Sequence, residues 1–194
     1  MIANQFTRAD VAERVCAAVD AGVMWVQLRD HEASEAGFGD AATTLVDRLR
    51  GISGEVMISV NSRPQVARDL GVHYHRGKGK PVLLDRGDGI QGYSAHTMAE
   101  VKDHAGMDYL FYSPIFPTGS KPGHPGVGVV ELAEVTEQAM QLVYALGGIK
   151  PQHCAACLGA GAYGVAVISG ILQADDIEAS VHAYLKAINT EAVT

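Results

Sequence analysis

The sequence predicts an α/β fold in which strands and helices alternate about eight times. Apolar runs such as VMWVQL (23–28), VMISV (56–60) and MDYLFYS (107–113) are separated by amphipathic stretches. The runs show little polar alternation, as expected for parallel strands covered by helices on both faces. Two architectures fit this order, a closed TIM (β/α)8 barrel and an open doubly wound sheet. No glycine fingerprint follows the first strand, which disfavours a dinucleotide-binding sheet, and a compact barrel is the prediction.

The first half of the chain divides at capping residues and glycines. Thr7 and Ser34 are predicted to cap the first two helices, and Gly22 ends the first one. The predicted elements are a weak strand at 1–6, a helix at about 8–21, a strand at 23–28, a helix at about 34–50, a strand at 56–60, a short helix ending at Leu70 and a short strand at 71–75.

The second half continues the same alternation. Thr97 is predicted to cap the helix that follows a weak strand, and Gly159 and Gly161 stop a later helix. The predicted elements are a short extended piece at 82–84, a strand at 89–94, a helix from Thr97 to about 105, a strand at 107–113, a helix at about 130–139, a strand at 142–148, a helix at 150–158, a strand at 163–169 and an amphipathic helix at 175–188.

Composition predicts one globular domain covering residues 1–194. The hydrophobic fraction is 47%, the charged fraction 19% and the net charge -7, with no basic cluster of more than two adjacent cations. A nucleic-acid partner is therefore not expected, and no apolar run is long enough to span a membrane. Cys154 and Cys157 form a C-x-x-C pair without a second pair, which favours buried core residues over zinc or redox chemistry. A cytoplasmic location fits three cysteines and no signal peptide.

Polar residues follow the predicted strands repeatedly, and in a barrel these strand ends share the rim that carries the chemistry. His96, after the fifth strand, is the candidate for proton transfer, with His31 and His73 as rivals. His73 and His75 point to the same side of their strand, but no third metal ligand stands at a fixed spacing from them. No metal site is therefore predicted.

A phosphate is expected at the loops that follow the last strands. The run at 118–121, Thr118, Gly119, Ser120 and Lys121, offers hydroxyl, amide and ammonium donors in a glycine-rich loop. Gly147 and Gly148 end the seventh predicted strand, and Ser169 and Gly170 end the eighth. Loops in these positions of a barrel commonly bind phosphate through backbone N–H groups.

The motifs VQLRD, VNSR, GVHYH, GYSAHT, DYLFYSPIFPTGSK, ALGGI and GVAVISGI resemble the thiamine-phosphate synthase and thiazole tautomerase (TenI-like) superfamily. The resemblance runs from about Val23 to Ile171. It implies a barrel with the ligand at the C-terminal rim. It also implies a thiazole phosphate bound near the following residues: Thr118, Gly119, Ser120, Gly148, Ile168 and Ser169.

The first half departs from the synthase pattern that this resemblance implies. His31 stands where a synthase has a lysine for pyrophosphate, and Ser62 where it has a magnesium-binding aspartate. The loop after His75 has no acid before Asp85, where a second magnesium ligand is implied. Magnesium prefers carboxylate ligands. The remaining candidates for substrate binding are Gln27, Arg29, His31, Asn61, Arg63 and Ser94, with Lys121.

From these departures we predict a thiazole tautomerase-like isomerase in thiamine metabolism, with His96 as the acid–base group and no cofactor. The alternative is a thiamine-phosphate synthase with an altered magnesium site, which would need Mg²⁺. A non-catalytic protein that binds a phosphate ligand is the third reading. The expected partner is a small-molecule phosphate, and a homo-oligomer is compatible with the sequence.

Overall fold

The computed structural model describes residues 1–77, 79–80, 82 and 89–189. Eight parallel strands follow one another in chain order and form a nearly closed barrel with helices between them, which confirms the predicted fold class. The strands are β1 (Ile2–Asn4), β2 (Trp25–Arg29), β3 (Met57–Asn61), β4 (His73–Arg76), β5 (Gln91–Ala95), β6 (Tyr109–Tyr112), β7 (Leu142–Leu146) and β8 (Gly164–Ala166). The helices are α1 (Ala9–Asp20), α2 (Glu35–Ile52), α3 (Pro64–Asp69), α4 (Met98–Asp103), α5 (Gly128–Gln138), α6 (Cys154–Gly159), α7 (Ser169–Leu172) and α8 (Ile177–Asn189), with a 3₁₀ turn at Pro151–His153.

Two of the three predicted helix caps are present. The Ser34 hydroxyl accepts a hydrogen bond from Gly37 N at 3.1 Å, and the Thr97 hydroxyl accepts one from Glu100 N at 3.2 Å. The predicted cap at Thr7 is wrong, because Arg8 occupies the N-cap position of α1 without a side-chain cap bond. The Thr7 hydroxyl instead donates to Asp30 Oδ2 at 2.5 Å.

The last predicted strand is shorter than the sequence suggested. β8 ends at Ala166, and Ser169 opens α7 instead of ending a strand. The backbone of Ile168, with φ -116° and ψ -82°, has left the extended region, and this stops the strand. Most of the extended piece predicted at 82–84 lies outside the described residues.

The chain divides into two compact units, of which the first comprises Met1–Gln91 and Ile168–His182. In this unit, Val26 and Leu28 of β2 and Val60 of β3 belong to a buried cluster with Phe38 and Leu49 of α2. Burial of such side chains is the main stabilising contribution to the unit. The prediction that residues 1–194 form a single domain stays a prediction.

The second unit comprises Gly92–Val167 and the chain from Ala183 onward. One face of its strands carries an aromatic cluster in which the Phe111 ring centroid lies 5.3 Å from Tyr109 and 6.1 Å from Tyr144. On α6, Cys154 and Cys157 are fully buried, and burial raises the pKa of the Cys157 thiol to about 11. Both thiols therefore behave as small core residues. Among the described residues, the helices are all too short or too polar to cross a bilayer.

Candidate functional site

The strands of the first unit carry polar side chains on the face opposite to its apolar core. Parallel pairing sets the register between β1, β2, β3 and β4, and side chains alternate between the two faces of each strand. The result is two layers, a lower one of Ile2, Gln27, Ser59 and His73, and an upper one of Asn4, Arg29, Asn61 and His75. The layers inside such barrels are usually branched apolar residues. Polar layers therefore indicate chemistry at the carboxyl ends of β1–β4.

The lower layer contains a buried amide. Gln27 is 2% exposed, and its Nε2 has no hydrogen-bond partner among the described residues. In the same layer, Ser59 Oγ accepts from Trp25 Nε1 at 3.1 Å and His73 Nδ1 accepts from Ile90 N at 3.2 Å. A buried donor without a partner costs about 1–3 kcal/mol. Gln27 thus offers an amide N–H that a ligand can satisfy.

The upper layer combines a cation with a neutral imidazole. Arg29 Nη1 donates to Asn4 Oδ1, and burial lowers the pKa of Arg29 without discharging it. His75 is 1% exposed, and burial together with the charge of Arg29 lowers its pKa to about 3. Arg29 is therefore the charged member of this layer near neutral pH, and His75 is neutral.

Asp30 and His31, the two residues directly after β2, differ in how free their side chains are to contact a ligand. The Asp30 carboxylate accepts from Thr7 and from the backbone N–H groups of Glu32 and Ala33. Burial alone would raise its pKa, but these bonds and the charge of Arg63 lower it overall. Burial and the charges of Arg29 and Arg63 lower the pKa of His31. Asp30 therefore has a structural role, whereas His31 is a neutral, exposed group near a cation.

The Arg63 guanidinium is engaged within the first unit. Its Nη2 donates to Ala33 O at 2.6 Å, it forms an ion pair with Glu35, and it lies 4.5 Å above the Phe38 ring. These contacts hold the start of α2 against the end of β3. They leave Arg63 less able than Arg29 to turn towards a ligand.

In the second unit, the structure brings together His96, Ser113 and Lys121. His96 Nδ1 lies 2.7 Å from Ser113 O, and Lys121 Nζ lies 3.2 Å from the same nitrogen. A carbonyl oxygen can only accept, so the shorter contact assigns a proton to Nδ1. An ammonium cannot accept that proton either. With Nδ1 protonated, the imidazole offers the Lys121 ammonium no acceptor at this nitrogen.

The loop after β6 closes onto the turn after β7. Ile115 N donates to Leu146 O and Phe116 N to Gly147 O, both at 3.0 Å. Gly148 has φ +67°, and a Cβ there would lie 2.3 Å from Pro117 O. Only glycine permits this backbone approach. The sequence predicts a common site for these two segments, and the structure joins them by main-chain contacts.

Beyond this contact, the residues predicted to bind phosphate form a turn. Lys121 N donates to Thr118 O at 3.1 Å, and Ser120 N points to Thr118 Oγ1 at 3.4 Å. Gly119 and Ser120 are exposed. Their donors are therefore accessible from solvent.

The other predicted phosphate residues, Ile168, Ser169 and Gly170, belong to the first unit. Ile168 precedes α7, and Ser169 and Gly170 form its first turn. Gly170 O accepts a hydrogen bond from Ser180 Oγ at 2.6 Å, which ties this turn to α8. Their role as phosphate contacts stays a prediction.

Sequence reasoning missed two contacts beside the candidate residues. Asn4 supports Arg29, although its position two residues after Ile2 on a strand could have placed it on the same face. The Phe116 ring stacks on His153 with centroids 4.1 Å apart, which braces the loop after β6. Nothing local in the sequence links these two rings, which are far apart along the chain.

Ser94, a predicted substrate-binding residue, lies on β5, opposite Phe111 of β6.

Within the ranges that the structure describes, His, Cys, Asp and Glu side chains do not form a group of three or more that could hold a metal ion. Asp85, the first acid after β4, lies outside those ranges. The expectation of no metal site therefore stays a prediction.

Comparison with known proteins identifies the family. The model of the family described as thiamine monophosphate synthase matches residues 1–171. The thiamine-phosphate synthase of Chloroflexus aurantiacus is 35% identical over 175 residues, covering 84% of this chain and 79% of the relative. That of Bacillus velezensis is 31% identical over 193 residues, covering 94% and 86%. The thiamine phosphate pyrophosphorylase of Pyrococcus furiosus has the same fold, with a TM-score of 0.84, 22% identity and coverage of 97% and 94%.

These relatives correct the function predicted from sequence. The tautomerase-like isomerase is wrong as the main reading, because the relatives at 31–35% identity over most of the chain are named thiamine-phosphate synthase. The altered strand ends of the first unit concern only the implied metal ligands, and they are too narrow a basis for excluding the transferase reaction. The chain belongs to the thiamine-phosphate synthase and TenI family.

Proposed function

We propose that this protein is a thiamine-phosphate synthase, a transferase that joins a pyrimidine diphosphate to a thiazole phosphate. The observation that carries the proposal is the match to synthases along most of both chains. The polar layers of the first unit and the loop after β6 in the second unit supply hydrogen-bond donors. Two phosphorylated substrates require donors of this kind.

The reaction forms a bond between the thiazole nitrogen and the methylene carbon of the pyrimidine, and the carbon–oxygen bond to diphosphate breaks. No carbon-bound proton moves in this exchange. Negative charge develops on the departing diphosphate, so fixed cations and N–H donors aimed at it lower the barrier. This requirement differs from that of an isomerase, which needs one group to remove and return a proton.

We assign the thiazole phosphate to the loop after β6. Thr118, Gly119 and Ser120 supply hydroxyl and backbone donors, and Gly148 supports the loop from the turn after β7. Backbone N–H groups in such turns bind phosphate oxygens well. In the first unit, Ile168, Ser169 and Gly170 are proposed as phosphate contacts.

We assign the pyrimidine diphosphate to residues on β2, β3 and β5 and to His31, which follows β2. Gln27 offers a buried amide for the pyrimidine ring, and Arg29 offers a cation for the diphosphate. Asn61 and Ser94 are proposed as neutral donors, and His31 as a neighbour of the diphosphate. Arg63 is proposed to support this site from behind, through its contacts with α2.

Lys121 is the proposed cation of the second unit, and His96 is its positioning residue. Because His96 Nδ1 donates to Ser113 O, the imidazole is held in place and limits where the Lys121 ammonium can lie. A lysine acts as a point charge on a flexible stem, so a rigid neighbour improves its placement. This replaces the role of proton carrier expected for His96 from the sequence.

Synthases of this kind typically use Mg²⁺, and the described strand ends of the first unit do not fit that ion. The polar groups at the end of β3 are an amide and a hydroxyl, from Asn61 and Ser62, and the cation Arg29 lies in the same layer as Asn61. Asp30, the acid directly after β2, already accepts three hydrogen bonds. Magnesium binds through carboxylates and substrate phosphates. The proposed neutralisation of the diphosphate charge therefore rests on Arg29.

The test is an assay of the purified chain for thiamine phosphate and diphosphate release from the two substrates. We expect both products in equal amounts, with the thiazole phosphate left unchanged when it is supplied alone. Formation of an isomerised thiazole without the pyrimidine substrate, or binding of both substrates without any product, would contradict the proposal.

A further inference from the structure

The end of β3 has an unusual backbone. Ser62 has φ +62°, a left-handed conformation that non-glycine residues seldom adopt. Its N–H donates to His75 O at 2.9 Å, and its hydroxyl donates to Asn61 Oδ1 at 2.9 Å. Ser62 is thus fixed between β3 and β4, at the position where the family resemblance implies a metal-binding carboxylate.

Gly77, directly after β4, fits against this serine. A Cβ at Gly77 would lie 2.0 Å from Ser62 Oγ and 3.0 Å from Ser62 Cβ. The hydroxyl therefore occupies the space in front of the Gly77 backbone. A longer carboxylate at position 62 would need the chain after β4 to move, so these two strand ends are shaped around a small neutral side chain.

The upper polar layer of Asn4, Arg29, Asn61 and His75 carries a single charge, which is positive. Arg29 lies in the upper polar layer, and its Nε and Nη2 have no hydrogen-bond partner among the residues that the structure describes. The carboxylates that follow β2 have other partners: Asp30 accepts from Thr7 and backbone N–H groups, Glu32 from Gln5, and Glu35 pairs with Arg63. His75, next to Asn61 in the same layer, is neutral. A divalent cation would be repelled from this arrangement, and a polyanion would be attracted.

We infer that this chain binds the diphosphate of its substrate directly, through Arg29 with Asn61 and Ser62, and without a divalent cation. The inference rests on the proposed function for the identity of the ligand. A guanidinium presents parallel N–H groups that match two phosphate oxygens, so one arginine can replace part of the charge that a metal ion would neutralise.

Inorganic pyrophosphate is the probe, titrated calorimetrically into the purified chain in EDTA and again in excess magnesium. We expect binding in EDTA that is at least as tight as in magnesium, because magnesium competes for the free pyrophosphate. Arg29→Met should weaken binding in EDTA by about tenfold or more, the usual effect of one charge-assisted hydrogen bond. Arg8→Met is the matched control, since Arg8 is an exposed arginine paired with Asp10 and should bind as the wild type does.

Ser62→Asp tests the same site from the opposite direction. The added carboxylate should weaken pyrophosphate binding in EDTA, and magnesium should restore part of it. Circular dichroism and thermal melting establish that each variant is folded, and if Arg29→Met does not fold, the wild type and Ser62→Asp still decide the outcome. Binding by the wild type that requires magnesium, or equal binding by Arg29→Met and Arg8→Met, would overturn the inference.

The product assay separates this inference from the proposed function. Thiamine phosphate made only in the presence of magnesium would support the function and refute direct binding. Pyrophosphate bound in EDTA by a chain that makes no thiamine phosphate would refute the function and support direct binding.

Discussion

Gly148→Ala should damage the phosphate site far more than it damages the fold. Gly148 has φ +67°, and the new Cβ would lie 2.3 Å from Pro117 O and 2.7 Å from Phe116 O. Ordinary van der Waals contact begins at 3.4 Å, so the backbone of the loop must retreat by about 1 Å from the turn after β7. That loop continues directly into Thr118, Gly119 and Ser120.

The magnitude follows from two contributions. A left-handed alanine costs about 1–2 kcal/mol, which lowers the melting temperature of a chain of this size by only a few degrees. A displacement of about 1 Å in a group that positions a substrate costs about a hundredfold in rate. We therefore expect kcat/KM to fall by about a hundredfold, with weaker binding of the thiazole phosphate and a folded protein.

The measurement pairs calorimetric titration of the thiazole phosphate with thermal melting. Gly71→Ala is the matched control, because Gly71 has φ +59° but nothing lies within 4 Å of the place that its Cβ would take. It carries the same backbone strain without the clash, so it should lower the melting temperature alone. Wild-type phosphate affinity in a folded Gly148→Ala protein would show that the contact between loop and turn does not position the phosphate.

Three further predictions concern other residues of the two units. Ser169→Ala should weaken phosphate binding by about 1 kcal/mol, or about fivefold, in the same titration, and a complete loss would mean that Ser169 does more than donate one hydrogen bond. His96→Ala should lower kcat/KM in the wild type but have little further effect in a Lys121→Met background, and additive losses in that double-mutant cycle would separate the two residues. The pKa of His75 is about 3 in the folded chain and 6.5 in the unfolded chain, so the unfolded chain binds more protons between these pH values. The stabilising contribution of His75 is therefore fully present above pH 6.5. The free energy of unfolding should fall by about 1.4 kcal/mol per pH unit from pH 6.5 towards pH 3. Urea unfolding at several pH values should show a smaller slope in His75→Gln, and an unchanged slope would mean that His75 already carries a proton in the folded chain.

The sequence predicted a structural feature correctly where the residues that determine it lie close together along the chain. Apolar runs located the strands, and Ser34 and Thr97 capped helices as expected because their partners are three residues away. Thr7 failed for the opposite reason, since its partner Asp30 is brought near only when β1 and β2 pair. Arg63 is a similar case, because its contacts with Ala33 and Phe38 depend on how α2 starts.

The sequence pointed to individual residues of the candidate site, but it did not predict the contacts between them. The sequence pointed to Lys121 and Gly148, and the structure shows the backbone clash that makes Gly148 irreplaceable. It could not show the contact of His96 Nδ1 with Ser113 O, on which the proposed positioning role of that histidine rests. The absence of a carboxylate at Ser62 favoured an isomerase when only the sequence was considered. A missing metal ligand constrains how charge is neutralised, and it does not by itself decide which bond is made.

The upper layer of the first unit explains how charge can be supplied by the protein itself. Arg29 is half-buried, so the cost of its desolvation has already been incurred on folding, and a hydrogen bond to Asn4 and the charge of Asp30 offset only part of it. His75 stays neutral beside it, which avoids a second charge that would repel the guanidinium. A cation held in this way needs no reorganisation when an anion arrives, and the arriving anion relieves part of its burial cost. Preorganised charge of this kind stabilises a departing diphosphate more than the same charge in water would.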